Sequence, residues 1–171
     1  MKVQIKELAL EDLTEDFYQS LPNKIKTTSL NTMRDHLTKR ISGGSVTAIS
    51  FVDGEYAGST SLIVDYKLDG RKVGHFEDLY VASKYRNQGI GALLTNFIQY
   101  TAWDLGCDQI LGTAKKGSFA GKIHPRYGGQ IAEDGVWWYK DHPRDGISRD
   151  LMLSRLNLDD FKPIPQQQIF L

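Results

Sequence analysis

Residues 74–97, GHFEDLYVASKYRNQGIGALLTNF, set a β-patterned run, a short loop with glycines at 89 and 91, and an amphipathic helical run in direct succession. No other stretch restricts the fold as much. A strand that feeds a helix through such a loop brings the helix's first unpaired N–H groups, with their positive partial charge, to the strand's end. Gly89 and Gly91 remove Cβ atoms that would hold a phosphate off, and Arg86 adds a cation nearby. Two other phosphate loops are excluded. A Walker A loop needs Lys-Ser/Thr after its last glycine, where this chain has Ala92-Leu93, and a dinucleotide fingerprint needs a third glycine where Leu94 stands.

The flanking patterns extend this unit. Ile90, Leu93, Leu94, Phe97, Ile98 and Thr101 line one face of a helix over 89–105, and Gly106 stops it. Upstream, VTAISFV, TSLIVDY and GHFEDLYV read as three antiparallel strands divided by the turn pairs Asp53-Gly54 and Asp69-Gly70. A helix over 29–41 carries Leu30, Met33, Leu37 and Ile41 at helical spacing and ends at Gly43-Gly44; before it come a strand over 2–9 and a short helix over 12–21. Downstream, DQILGTA and VWWYK read as strands. Between them, Pro125 and the glycines at 117, 121, 128 and 129 oppose a regular helix.

This order predicts an α/β fold of layered α+β type, a central mixed, mostly antiparallel sheet with helices on both faces. The expected domain covers 1–141. Residues 142–171 are expected to form an extension, a short helix and tail, packed on the domain or on a partner subunit.

The chain's 171 residues suit one core, and 40% apolar with 25% charged residues describes a folding chain. Twenty-one basic side chains balance twenty-one acidic ones, which argues against extensive contact with nucleic acid or an anionic membrane. The single Cys107 cannot form an internal disulfide, and MKVQIKELALED lacks a long apolar core, so a cytoplasmic, reducing compartment is expected.

The segment Arg86-Asn87-Gln88-Gly89-Ile90-Gly91, with its strand and helix in register, resembles the R/Q-x-x-G-x-G/A signature of the GNAT superfamily of N-acetyltransferases. The likeness spans roughly residues 3–140. HFEDLYV, RNQGIG and GCDQI look closest to the glucosamine-6-phosphate N-acetyltransferase branch. The resemblance implies acetyl-CoA as co-substrate, with no metal, in a cleft between splayed strands. It implies that Leu79, Tyr80 and Val81 pair with the pantetheine arm, and that Arg86, Asn87, Gln88, Gly89, Ile90, Gly91 and Ala92 hold the pyrophosphate. By the same analogy, the Val81 N–H would polarise the acetyl carbonyl.

Acetyl transfer to an amine needs a neutral nucleophile and a proton source for the departing thiolate. Glu77 and Asp78 are consecutive on a strand, so alternation sends them to opposite faces; Glu77 is the expected base, with Asp78 supporting it or binding substrate. Their alternative reading is an ordinary surface acid beside a fold-stabilising one. Where the family carries a tyrosine near the sulfur this chain places His124, with Tyr127 three residues on. The acid is therefore His124, or Tyr127 through an altered loop, or no protein group at all.

Lys115, Lys116, Lys122, His124 and Arg126 form a basic cluster that could hold the CoA 3′-phosphate or a phosphorylated substrate. Trp137 and Trp138 point to opposite faces of a late strand, one core, the other a homodimer contact or a substrate wall. The expected function is N-acetylation of a small-molecule amine, such as an amino sugar or polyamine, by direct attack in a ternary complex. The alternatives are an acetyltransferase for a protein amine or aminoacyl-tRNA, and a non-catalytic CoA-binding module.

Overall fold

The computed structural model describes residues 2–26, 28–113, 130–131 and 136–139. The elements are β1 (Val3–Glu7), α1 (Glu15–Ser20), α2 (Leu30–Ser42), β2 (Val46–Val52), β3 (Glu55–Tyr66), β4 (Lys72–Val81), α3 (Ile90–Asp104), β5 (Gln109–Thr113), β6 (Gln130–Ile131) and β7 (Val136–Tyr139). Single 3-10 turns lie at Leu10–Asp12 and Ser83–Tyr85. One sheet holds all the strands in the order β1-β2-β3-β4-β5-β7-β6. Every pairing is antiparallel except β4 with β5. A parallel neighbour requires a crossover, which α3 provides.

Local chemistry explains most boundaries. Asp53 and Gly54 both have positive φ, 50° and 85°, between the paired residues Val52 and Glu55, which makes a two-residue type I′ hairpin suited to the twist of β2 and β3. The expected helix over 12–21 is instead shorter. The Asp12 carboxylate turns back to accept the Ala9 N–H and pairs with the Lys6 ammonium, so the helix restarts at Thr14, whose hydroxyl caps the Phe17 N–H. Ser29 caps α2 in the same way through the Thr32 N–H. α3 closes in a Schellman motif, with Gly106 N–H on the Trp103 carbonyl and Cys107 N–H on that of Ala102.

The core lies between the sheet and α3. Ile90, Leu94, Phe97, Ile98 and Ala102 of the helix meet Ala48, Val52, Ala57, Leu62, Val64 and Phe76 of β2–β4. Thr95 and Thr101 are buried as well, each hydroxyl bonding the carbonyl four residues back. The opposite face carries α1 and α2. There Met33, Leu37 and Arg40 turn toward the sheet while Ile41, expected on the apolar stripe, is 45% exposed.

Gly58, on β3, marks the tightest approach. A Cβ there would sit 2.6 Å from the Tyr80 carbonyl oxygen and 3.0 Å from Leu94 Cδ1. The first contact is backbone and cannot rotate away. Gly58→Ala should therefore lower stability by about 2–3 kcal/mol, measured as a reduced midpoint of urea denaturation at constant m-value.

Candidate active site

Three features meet at one end of β4. The first is an irregularity in its pairing. β3 and β4 pair Ser61 with Glu77 and then Ser59 with Tyr80, so two residues of β4, Asp78 and Leu79, stand against the single Thr60. This is a β-bulge, and Asp78 takes it up with φ of 56°. Aspartate is one of the few residues besides glycine that enters this region readily.

The bulge overturns the expectation that Glu77 and Asp78 face opposite ways. Glu77 lies opposite Ser61, whose hydroxyl meets Thr47 and the Arg40 guanidinium on the α2 side of the sheet. Asp78 also reaches Arg40, with Nη2 3.0 Å from Oδ2. Both acids therefore stand on the α2 side, because the extra residue breaks the two-residue alternation. Leu79 and Val81 pack toward α3, and Tyr80 returns to the α2 side. Arg40 ties the bulge to β3 through Asp78 and Ser61. The Glu77 carboxylate is half-buried and has no ion-pair partner among the described residues.

The second feature is the parting of β4 from β5. Their pairing runs from Val73–Gln109 to Phe76–Gly112. Beyond it, the β5-facing edge of β4 over 77–81 has no strand beside it among the described residues. A strand edge of this kind can accept an extended ligand as an added strand.

The third is the start of α3. Asn87 has φ of 59° and Gly89, the N-cap, has φ of 87° and ψ of −10°. No side chain caps the helix, and its first turn holds no acid. Its leading N–H groups are thus presented to whatever lies beside the loop, as an anion requires. Loop side chains are anchored locally: Arg86 Nε donates to the Val81 carbonyl at 3.1 Å, and Gln88 Nε2 to that of Lys84 at 2.7 Å. Below them, Glu55 accepts from the Lys84 ammonium and from the Tyr85 hydroxyl at 2.6 Å, and these contacts, Lys84 first, hold its carboxyl below the usual range.

On the α2 side of the bulge opens a cavity of about 690 Å³, the size of a small-molecule site. Phe17, Leu21, Ile25 and Met33 form its apolar wall, and Arg40, Tyr56, Ser61, Asp78 and Tyr80 its polar side. The rings of Tyr56 and Tyr80 stack at 6.4 Å with 22° between planes. Burial pushes the Tyr56 phenol up to about 12, against the lowering effect of its 2.7 Å hydrogen bond with Ser59. An unfolded tyrosine ionises near ~10, so stability from the neutral buried phenol is complete below that pH and is lost as pH rises from there through about 12. Between about pH 9 and about pH 11.5 the unfolding free energy should fall by on the order of 2 kcal/mol, a loss that Tyr56→Phe should not show.

Sequence reasoning placed Glu77, Asp78, Leu79, Tyr80, Val81 and the 86–92 loop together, and the structure brings them to one end of the sheet. It missed Lys24, Arg40, Tyr56 and Ser61. Only Arg40 carried a local signal, a charged residue on the inward side of an otherwise apolar helical stripe. His124, Tyr127 and the basic cluster over 115–126 lie outside the described residues. Trp137 and Trp138 pair with Gly112 and Leu111 of β5. Among the described residues no group of His, Cys, Asp or Glu could hold a metal ion, and no helix is long and apolar enough to cross a membrane.

A mixed sheet parted at β4, a bulge beside the parting and an uncapped helix start after it are the features that set this α/β fold apart. Residues 7–128 match the model of the acetyltransferase (GNAT) family, and the chain belongs to that family. Solved structures agree on the fold. An acetyltransferase from Trypanosoma brucei superposes with a TM-score of 0.65 at 23% identity, covering 77% of this chain and 95% of that one. Glucosamine-6-phosphate N-acetyltransferase from Arabidopsis thaliana gives 0.61 at 20% identity, over 74% and 90%. The PaiA N-acetyltransferase from Thermoplasma acidophilum, solved in complex with coenzyme A, gives 0.60 at 14% identity, over 82% and 100%. No curated protein matches the chain in sequence.

Proposed function

We propose that this chain is an acetyl-CoA-dependent N-acetyltransferase acting on a small-molecule amine. The observation that carries this reading is the uncapped start of α3, opened by Gly89 in the left-handed region and set beside the unpaired edge of β4. The residues fit the cofactor. Backbone groups of Leu79, Tyr80 and Val81 would take the pantetheine arm, and Arg86, Asn87, Gln88, Gly89, Ile90, Gly91 and Ala92 the diphosphate. Arg86 would release the Val81 carbonyl to do so. When bound, acetyl-CoA supplies an activated acyl thioester.

The chain's own groups then divide the work. The cavity holds the acceptor on the α2 side of β4, and its volume suits a small-molecule amine. Glu77, unpaired and half-buried, takes the proton from the acceptor ammonium directly or through one water. Asp78 is engaged by Arg40 and serves to hold the bulge. The Val81 N–H polarises the carbonyl that is attacked, and the thiolate is protonated by His124, Tyr127 or solvent. The likeness to the glucosamine-6-phosphate branch makes amino sugars the first acceptors to try.

The test is release of free thiol from acetyl-CoA across a panel of amino sugars, amino acids and polyamines. Amine-dependent release supports the reading. Stabilisation by CoA without turnover on any acceptor would instead make the chain a CoA-binding module.

A further inference from the structure

Two charges of opposite sign on the α2 side of the sheet have no ion-pair partner among the described residues. Among the described residues, Lys24, His36, Lys39, Arg40 and Asp78 line the acceptor cavity, and Glu77 stands on the same side of the sheet. Arg40 is paired with Asp78, and Lys39 with Asp35. Lys24 is left over. Its ammonium stands 5.7 Å from the centre of the Tyr80 ring and makes no ion pair among the described residues. A ring face attracts the charge but accepts none of the three N–H bonds in the usual geometry, so the donors stay available to a ligand.

Position gives the free lysine meaning. Tyr80 follows the bulge on β4 and lies one residue before Val81, the end of the strand's free edge. An amine seated in the cavity lies in the field of Lys24, which lines it together with Tyr80. There the lysine's field has two effects on it. It disfavours the ammonium form, which helps deliver a neutral nucleophile, and it attracts any negative group the same molecule carries. A polycation gains the first effect but pays for bringing further positive charge beside Lys24.

We infer that the acceptor of this cleft carries an anionic group, a carboxylate or a phosphate, held by Lys24 a short distance from the amine that is acetylated. This rests on the proposed reading of the cleft and narrows it, since it sets polyamines aside.

The test uses the full chain with acetyl-CoA and matched acceptors: glucosamine against glucosamine 6-phosphate, an amino acid against its amide, and spermidine. The anionic member of at least one pair should show kcat/KM about tenfold or more above its neutral counterpart. Which pair responds separates phosphate from carboxylate. Lys24→Gln should remove most of that preference while leaving affinity for CoA unchanged. Equal or better turnover of the neutral members or spermidine overturns the proposal, as does a preference that survives Lys24→Gln. If CoA binds but no acceptor turns over, binding to the CoA-saturated protein decides. Anionic amines that raise the melting temperature of the wild type but not of Lys24→Gln uphold the inference, and no shift from any of them refutes it. Failure of CoA itself to bind would remove the underlying reading of the cleft and the inference with it.

Discussion

Gly89→Glu should abolish measurable binding of CoA while the protein still folds. A carboxylate at this position would stand in the mouth of the α3 N-terminus, where the diphosphate is proposed to lie. Like charges about 4–5 Å apart at a partly solvated site repel by roughly 3–4 kcal/mol, a loss of affinity of about two to three orders of magnitude. Part of any stability change would come from the backbone, because φ of 87° costs a side chain about 1–2 kcal/mol. Gly89→Asn separates the two effects, since asparagine tolerates the left-handed region and brings no charge. Calorimetric titration with CoA, alongside melting curves of both variants, reads the difference. Undiminished affinity in Gly89→Glu would remove the diphosphate from this corner.

The second large effect is expected at Glu77. Its carboxylate is half-buried, has no ion-pair partner among the described residues and lies on the cavity side of the sheet. General-base contributions are typically two to four orders of magnitude in rate. Glu77→Gln preserves shape and should lower kcat by about 100-fold or more with little change in KM for acetyl-CoA. Asp78→Asn should do much less to chemistry, because the carboxylate it replaces is held by Arg40 and asparagine also accepts the left-handed backbone. A larger kcat effect at Asp78 than at Glu77 would exchange their roles.

That contrast also shows where reading the chain by pattern stops. Alternation was a sound guide for the first half of β4, and the Asp53-Gly54 pair fixed its hairpin without help from the rest of the molecule. At Asp78 it failed because nothing local announces a bulge there. No glycine or proline marks it, and aspartate can adopt either a strand or a left-handed conformation. Its choice is made by Thr60, Ser61 and Arg40, which are distant in the chain. The diphosphate loop was legible because its chemistry sits in six consecutive residues. The acceptor cavity was not, because its walls come from residues 8 to 80 and are drawn from separate helices and strands. The shortened α1 has a similar cause: Asp12 is drawn to Ala9 and Lys6 behind it.

One consequence follows from where α1 and α2 lie in the chain. Both helices are carried in the connection between the paired strands β1 and β2, whereas β4, the glycine loop and α3 form one unbroken run. The glycine loop is thus contiguous in the chain, while the walls of the cavity are drawn from the helical insert and from β2, β3 and β4 alike. Because Arg40 of that insert also grips Asp78 and Ser61, any change in the helices is passed on to the bulge of β4.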